Sequence, residues 1–246
     1  LDGTTLIRFP ERKGETLVQP HSQLLLKALT ESGVSPDRTV TVGGTERTVA
    51  DLYRGAVMES YLVAATDHSS FASPNDVPWA LQALAAWAPP RFAWQSPDGT
   101  TTDLNGLTDF VAAVALKETR FMVQARKQGT GFQKRGQGIF RYTCGGAHLI
   151  QGLNYAVARG FGQPTAQYVS RDQGPLLLYR FPIELAQIEQ AIKDQKDFAF
   201  RLHIQRLKLT GHTLETLHKM SAMGQLELSA AEKTRLDAIA LQVVES

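Results

Sequence analysis

The stretch that most limits the folds open to this chain is Asp76-Val77-Pro78-Trp79-Ala80-Leu81-Gln82-Ala83-Leu84-Ala85-Ala86-Trp87. Pro78 just inside the start and Pro89-Pro90 beyond the end bracket a single helix, with Asp76 expected to cap it. Apart from Gln82, that helix is apolar on every face, which predicts a buried core helix. One neighbour cannot cover it, so other helices must be wrapped around it. A chain of 246 residues is long enough to build such a core.

A second helix is expected from Thr143-Cys144-Gly145-Gly146-Ala147-His148 to about Arg159. Thr143 is its expected cap, and Gly160-Phe161-Gly162-Gln163-Pro164 closes it. On a 3.6-residue wheel Cys144, His148, Gln151 and Tyr155 share one stripe, while Leu149, Leu153, Ala156 and Val157 lie away from it. The remaining helices are predicted at His21 to Thr30, Val49 to Ala65 (opened by Thr48 with Asp51), and Asp103 to about Lys127. The later ones run from Ile183 to Leu209, broken at Thr210-Gly211, from Leu214 to Met223, and from a Ser229/Glu232 capping box to about Val244. Thr39 to Val49, with Gly43-Gly44 at its turn, is the one clear β signal and reads as a small hairpin. An edge strand is expected at Thr5–Phe9, and Leu176–Tyr179 fits a short strand or the edge of a helix.

The fold class this predicts is mainly α. It is a multi-helix orthogonal or α/α-barrel-like bundle with one small β-hairpin near residues 39–49 and a helical C-terminal extension. Residues 1–181 form the expected main domain carrying the site. Residues 182–246 form a helical hairpin or tail packed on it, a candidate arm for homo-oligomerisation. Glycine-rich helix starts joined by long loops are loosely similar to those of α/α-barrel enzymes, some of which hold zinc through Asp, Cys and His. That similarity is one of architecture alone.

Cys144 carries the first chemical reading. A thiol at a helix N-terminus feels the positive end of the macrodipole, and His148 one turn on can act as its base. In this reading Gly145 and Gly146 open room for a ligand and offer N–H groups to an oxyanion, in a pocket that Gln151 and Tyr155 also line. The second reading is a metal site. Cys144 and His148 at i, i+4 share a zinc-type ion with Asp67 or His68, a Cys/His/His or Asp/Cys/His set that leaves one position open for catalysis, with Tyr155 or Gln151 orienting the ligand. The plain alternative makes Cys144 and His148 structural and Asp67-His68 a helix end. Gly129 to Arg141 is glycine-rich and basic, and Arg135 and Arg141 are its candidate anion ligands. No Gly-Lys-Ser/Thr follows, so a nucleotide loop is not expected. His203, His212 and His218 read as surface histidines, because Gly211 and the spacing scatter them over different faces.

Function is therefore expected to be that of an enzyme with a Cys/His pocket, hydrolase-like, acting on a small, anionic or peptide ligand. The alternative is a non-catalytic helical binding or assembly protein. A formal net charge of +2 gives no argument for nucleic acid or for an anionic membrane. No run approaches the ~18 apolar residues of a membrane span, so the chain reads as soluble. Leu1 reads as a trimmed start, which leaves export open. A lone cysteine excludes an internal disulfide framework.

Overall fold

A computed structural model describes residues 6–63, 68–97, 99–133, 138 and 144–244. The described residues are 62% helical, with eight α-helices and only small two-stranded antiparallel sheets among them, which is the mainly α fold that the periodicity predicts. The helices are α1 (Leu24–Glu31), α2 (Val49–Glu59), α3 (Val77–Trp87), α4 (Leu104–Gln128), α5 (Ala147–Ala158), α6 (Pro164–Asp194), α7 (Ala199–Ala222) and α8 (Ala230–Val244). Four short hairpins lie between them among the described residues: β1 (Arg12–Lys13) with β2 (Thr16–Leu17), β3 (Thr39–Val42) with β4 (Thr45–Thr48), β5 (Leu62–Val63) with β6 (His68–Ser69), and β7 (Ala93–Gln95) with β8 (Thr101–Asp103). The predicted hairpin is β3–β4, and three more accompany it. No helix among the described residues is long and apolar enough to cross a membrane.

Helix α3 sits in the middle, as its all-round apolarity requires. Val77 to Ala85 are all buried, Gln82 included, and α1, α2, α4 and α5 pack around them. Its closest neighbour is α5. A Cβ on Gly152 would stand 2.4 Å from Pro78 Cβ, so the missing side chain lets the two helices touch. One apolar cluster fills the space between α2, α3, α4, α5 and the first half of α6, and a second joins the later half of α6 to α7 and α8. Ile150 of α5 belongs to the second cluster and Leu149 and Leu153 to the first, so α5 borders both.

Most expected caps form. The Thr48 N–H donates to Asp51 at 3.0 Å, the Gly106 N–H to Asp103 at 2.6 Å, and the Ser229 N–H to Glu232 at 2.8 Å. Asp76 is the exception. It makes no cap hydrogen bond and pairs with His21 instead. Thr143 lies outside the described residues. At the far end of α5, Gly160 takes a left-handed φ of 92° and the Phe161 N–H donates to Ala156 O at 3.0 Å.

Several boundaries differ from the sequence expectation. Helix α2 stops at Glu59 rather than Ala65: Ser60 turns extended, its carbonyl accepts from Trp94 Nε1 at 2.9 Å, and Leu62 enters β5. Residues 6–9 form no strand, and Thr5 lies outside the described residues. Leu176–Tyr179 is helical. Helix α6 runs unbroken through Pro175 and Pro182, because buried Leu176, Leu177, Phe181, Leu185 and Ile188 on either side outweigh the lost N–H groups. Helix α7 likewise continues through Gly211, held on both sides by buried Leu209, Thr210 and Thr213.

Candidate functional site: a histidine–carboxylate cluster between four helices

His148 stands in the first turn of α5, 6% exposed, with α3 on one side and α7 on the other. The Trp79 ring lies 4.3 Å from its ring and the His212 ring 4.0 Å away. His148 Nε2 meets His212 Nδ1 at 3.0 Å, and His212 Nδ1 lies 3.6 Å from Glu215 Oε2. His212, Glu215 and Lys219 are spaced i, i+3, i+7, so the continuity of α7 through Gly211 puts all three on one face. Helix α1 faces them with Lys27 and Glu31 at i, i+4.

Charge is balanced across this seam. Lys219 bonds Glu215 at 2.8 Å and Glu31 at 2.6 Å, while Lys27 lies 2.9 Å from Glu31 and 3.7 Å from Glu215. Burial, followed by the neighbouring His212, pushes His148 down to about 3. The imidazole is therefore neutral at physiological pH, the form a metal ligand needs. The contact with His212, opposed by burial and reinforced by Lys219, holds Glu215 well below the usual carboxylate range. Burial lowers Lys27. It acts the same way on Lys219, but Glu215 and Glu31 overcome it and raise that lysine.

His21 extends the cluster outward. It stacks on Trp79 at 5.2 Å, its ring is 6.4 Å from that of His148, and its Nδ1 lies 2.8 Å from Asp76 Oδ1. An ionised carboxylate only accepts, so the imidazole donates from Nδ1. His21 and Asp76 open onto a polar cleft of about 520 Å³ that Arg8, Glu59, Tyr61 and Ser70 also line. An apolar cavity of about 530 Å³ between Tyr53, Val57, Leu84, Trp87 and Phe92 lies apart from the histidines.

The residues expected from sequence are only partly brought together. His148 is central. Gln151, 1% exposed, accepts from Gln82 Nε2 at 3.3 Å inside the α3–α5 interface. Tyr155 packs at the edge of the first apolar cluster. Cys144 is buried in the turn before α5 rather than exposed on the helix. Among the described residues, the group of three or more potential metal ligands that converges is His148, His212 and Glu215, with their ligand atoms within 4.8 Å of one another, and Cys144 is not part of it. Asp67, Arg135 and Arg141 lie outside the described residues, and so does the side chain of His68.

Gly145 and Gly146 do take left-handed φ values of 57° and 78°. The space beside Gly145 is not open to a ligand, however. Arg180 Nη2 stands 2.9 Å and Glu184 Oε2 3.2 Å from where a Cβ would be, and Arg180 donates to Gly145 O at 2.7 Å. The buried Arg180–Glu184 ion pair pins the α5 entry turn, so Gly145 serves packing there.

His21, Asp76, His212 and Glu215 are the site residues that sequence reading missed. The available signal was the register His212-x-x-Glu215-x-x-x-Lys219, but reading Gly211 as a helix break concealed it. Compared with protein-family models, curated proteins and solved structures, the chain matches none.

Proposed function

We propose that this is a metal-dependent helical enzyme of the hydrolase type, with His148, His212 and Glu215 holding a zinc-type divalent ion. The observation that carries this reading is the convergence of the three ligand atoms. With His148 neutral and Glu215 ionised, one imidazole proton at most sits among three lone-pair donors, and a cation serves all three at once. Three protein ligands leave a coordination position open. His212 and Glu215, with side chains 33% and 37% exposed, put that position toward solvent. Such an ion supplies a polarised water or carbonyl. His21, oriented by Asp76 at the edge of the polar cleft, is placed to take up a proton from a ligand entering there. Cys144, buried and outside the cluster, has no part in this reading.

A second reading is favoured by Lys219, which already occupies Glu215 Oε1. In that case the His148 Nε2–His212 Nδ1 hydrogen bond, with Glu215 Oε2 3.6 Å from the same His212 nitrogen, is a metal-free contact relay that positions His148.

Titration of chelator-stripped protein with zinc or cobalt separates the two. The metal reading expects saturable binding of one equivalent, lost in His212→Ala and Glu215→Gln, both of which alter partly exposed positions. At a free-metal level about 100 times the dissociation constant, folding gains about 2.7 kcal/mol. A metal-free wild type, or binding that survives His212→Ala, rules out the metal centre and leaves the relay.

A further inference from the structure

Helix α7 has two apolar faces, and only one is covered. Leu209, Thr213, Thr216 and Leu217 are buried. On the opposite side of the wheel Phe200, Ile204 and Leu207 make a stripe at i, i+4, i+7. These three are 77%, 37% and 57% exposed, and Phe198, in the 3₁₀ turn Lys196–Phe198 just before the helix, is 54% exposed. A water-facing helix surface carries polar residues at such positions. Here the outermost ones are aromatic and aliphatic, on the end of the α6–α7 hairpin farther from His212 and Glu215.

Charge identifies the partner. Arg201 and Lys208 flank the stripe on one side and His203 on the other, with Lys193 and Lys196 at the tip. From residue 193 to 208 the chain has five cationic side chains against Asp194 and Asp197, a local +3 within a protein whose total is +2. The near-neutral total hides this concentration. A second copy of the chain fits poorly, since like-charged tips would face each other. Four partly exposed side chains, at ~150–250 Å² for a whole aromatic, also fall short of the ~800 Å² per partner of a stable interface. An anionic lipid surface meets both demands, with long cationic side chains reaching phosphates while the apolar stripe enters the headgroup–acyl boundary.

We propose that the tip of the α6–α7 hairpin is an interfacial anchor that lies on anionic lipid, with Phe198, Phe200, Ile204 and Leu207 embedded and Lys193, Lys196, Arg201 and Lys208 facing the headgroups. This stands apart from the metal reading.

The test is flotation of the intact chain with vesicles of phosphatidylcholine alone, or mixed in equal parts with phosphatidylglycerol. Binding is expected only to the mixed vesicles, weakening from about 0.1 M to about 1 M salt. Arg201→Gln with Lys208→Gln should reduce partitioning by roughly 25-fold, about fivefold per cation. Phe200→Ser should reduce it by about tenfold or more. Both changes are at the surface, so far-UV circular dichroism should match the wild type. Should Phe200→Ser disturb folding, the charge variant decides alone. Equal binding to both vesicle types, full binding by the charge variant, or a concentration-dependent dimer that Phe200→Ser abolishes while vesicles stay unbound would each overturn the proposal.

Discussion

Replacing Gly152 by Ala tests the packing that places His148. The added Cβ would stand 2.4 Å from Pro78 Cβ and 2.7 Å from Pro78 Cα, against about 3.5–4.0 Å for a favourable carbon contact. Both Pro78 atoms belong to a ring or the backbone, so no rotamer change relieves the overlap. Helices α3 and α5 must part by about 1 Å along a seam of fully buried side chains. Overpacking of this kind costs about 1–3 kcal/mol, and the rigidity of the neighbour puts this case at the upper end. Alanine returns about 1 kcal/mol of helix propensity, for a net loss of about 2 kcal/mol. At about 2–4 °C per kcal/mol for a chain of this size, Tm should fall by about 4–8 °C in a far-UV circular dichroism melt. Because Pro78 adjoins Trp79, which lies 4.3 Å from His148, tryptophan emission should change with it. Gly211→Ala is the control. A Cβ there meets nothing within 4 Å, so helix propensity alone should raise Tm. If Gly152→Ala is as stable as the wild type, or both alanines shift Tm upward, the close α3–α5 contact is refuted.

Arg180→Met should cost about 3–5 kcal/mol in urea unfolding, since it removes the guanidinium from a Glu184 carboxylate that is 0% exposed. Arg180→Met with Glu184→Leu should recover most of that loss, and a double variant no better than the single would show that the cost does not come from the uncompensated Glu184 charge. The metal-free protein should lose stability as pH falls from about 6.5 toward 3. In that window the unfolded chain protonates His148 and the folded chain does not, so the loss approaches about 1.4 kcal/mol per pH unit. His148→Gln should lack this slope between about pH 6.5 and pH 5, and identical pH profiles for the two proteins would show that His148 is not held neutral.

Local chemistry explains which parts of this molecule were legible in its sequence. Val77–Ala85 declares its own burial because no face of it is suited to water, and the Thr48/Asp51 and Ser229/Glu232 boxes mark helix starts with side chains three residues apart. Boundaries set by distant packing were not legible. Pro182 and Gly211 weaken a helix locally, yet α6 and α7 pass through them because buried side chains before and after are held by other helices. The site fails the same way. His148 was visible as a polar residue on an apolar helix, but its partners lie 64 and 67 positions away on a helix whose register is invisible once Gly211 is taken as a stop. Asp76, in the expected cap position, was drawn off by His21, 55 residues earlier, at 2.8 Å.

The ionic frame around the cluster also fixes how tightly it can hold a cation. Lys27 and Lys219 balance Glu31 and Glu215, so the two imidazoles enter without a spare counter-charge and a divalent ion would bring its full charge into a neutral set. Lys219 is 2.8 Å from Glu215 Oε1, so it would stand about 6 Å from an ion held by Oε2 at ~2 Å. Even at the dielectric of water, the repulsion between a double and a single charge at that distance is about 1.4 kcal/mol, roughly tenfold in affinity. Lys219→Met should therefore tighten zinc binding by about tenfold, even though it removes ion pairs to Glu31 and Glu215 and so lowers the stability of the metal-free chain. Opposite signs in the two measurements are what a metal centre requires. In a purely structural network the variant loses stability and zinc changes nothing, which titration calorimetry on the variant alone would reveal.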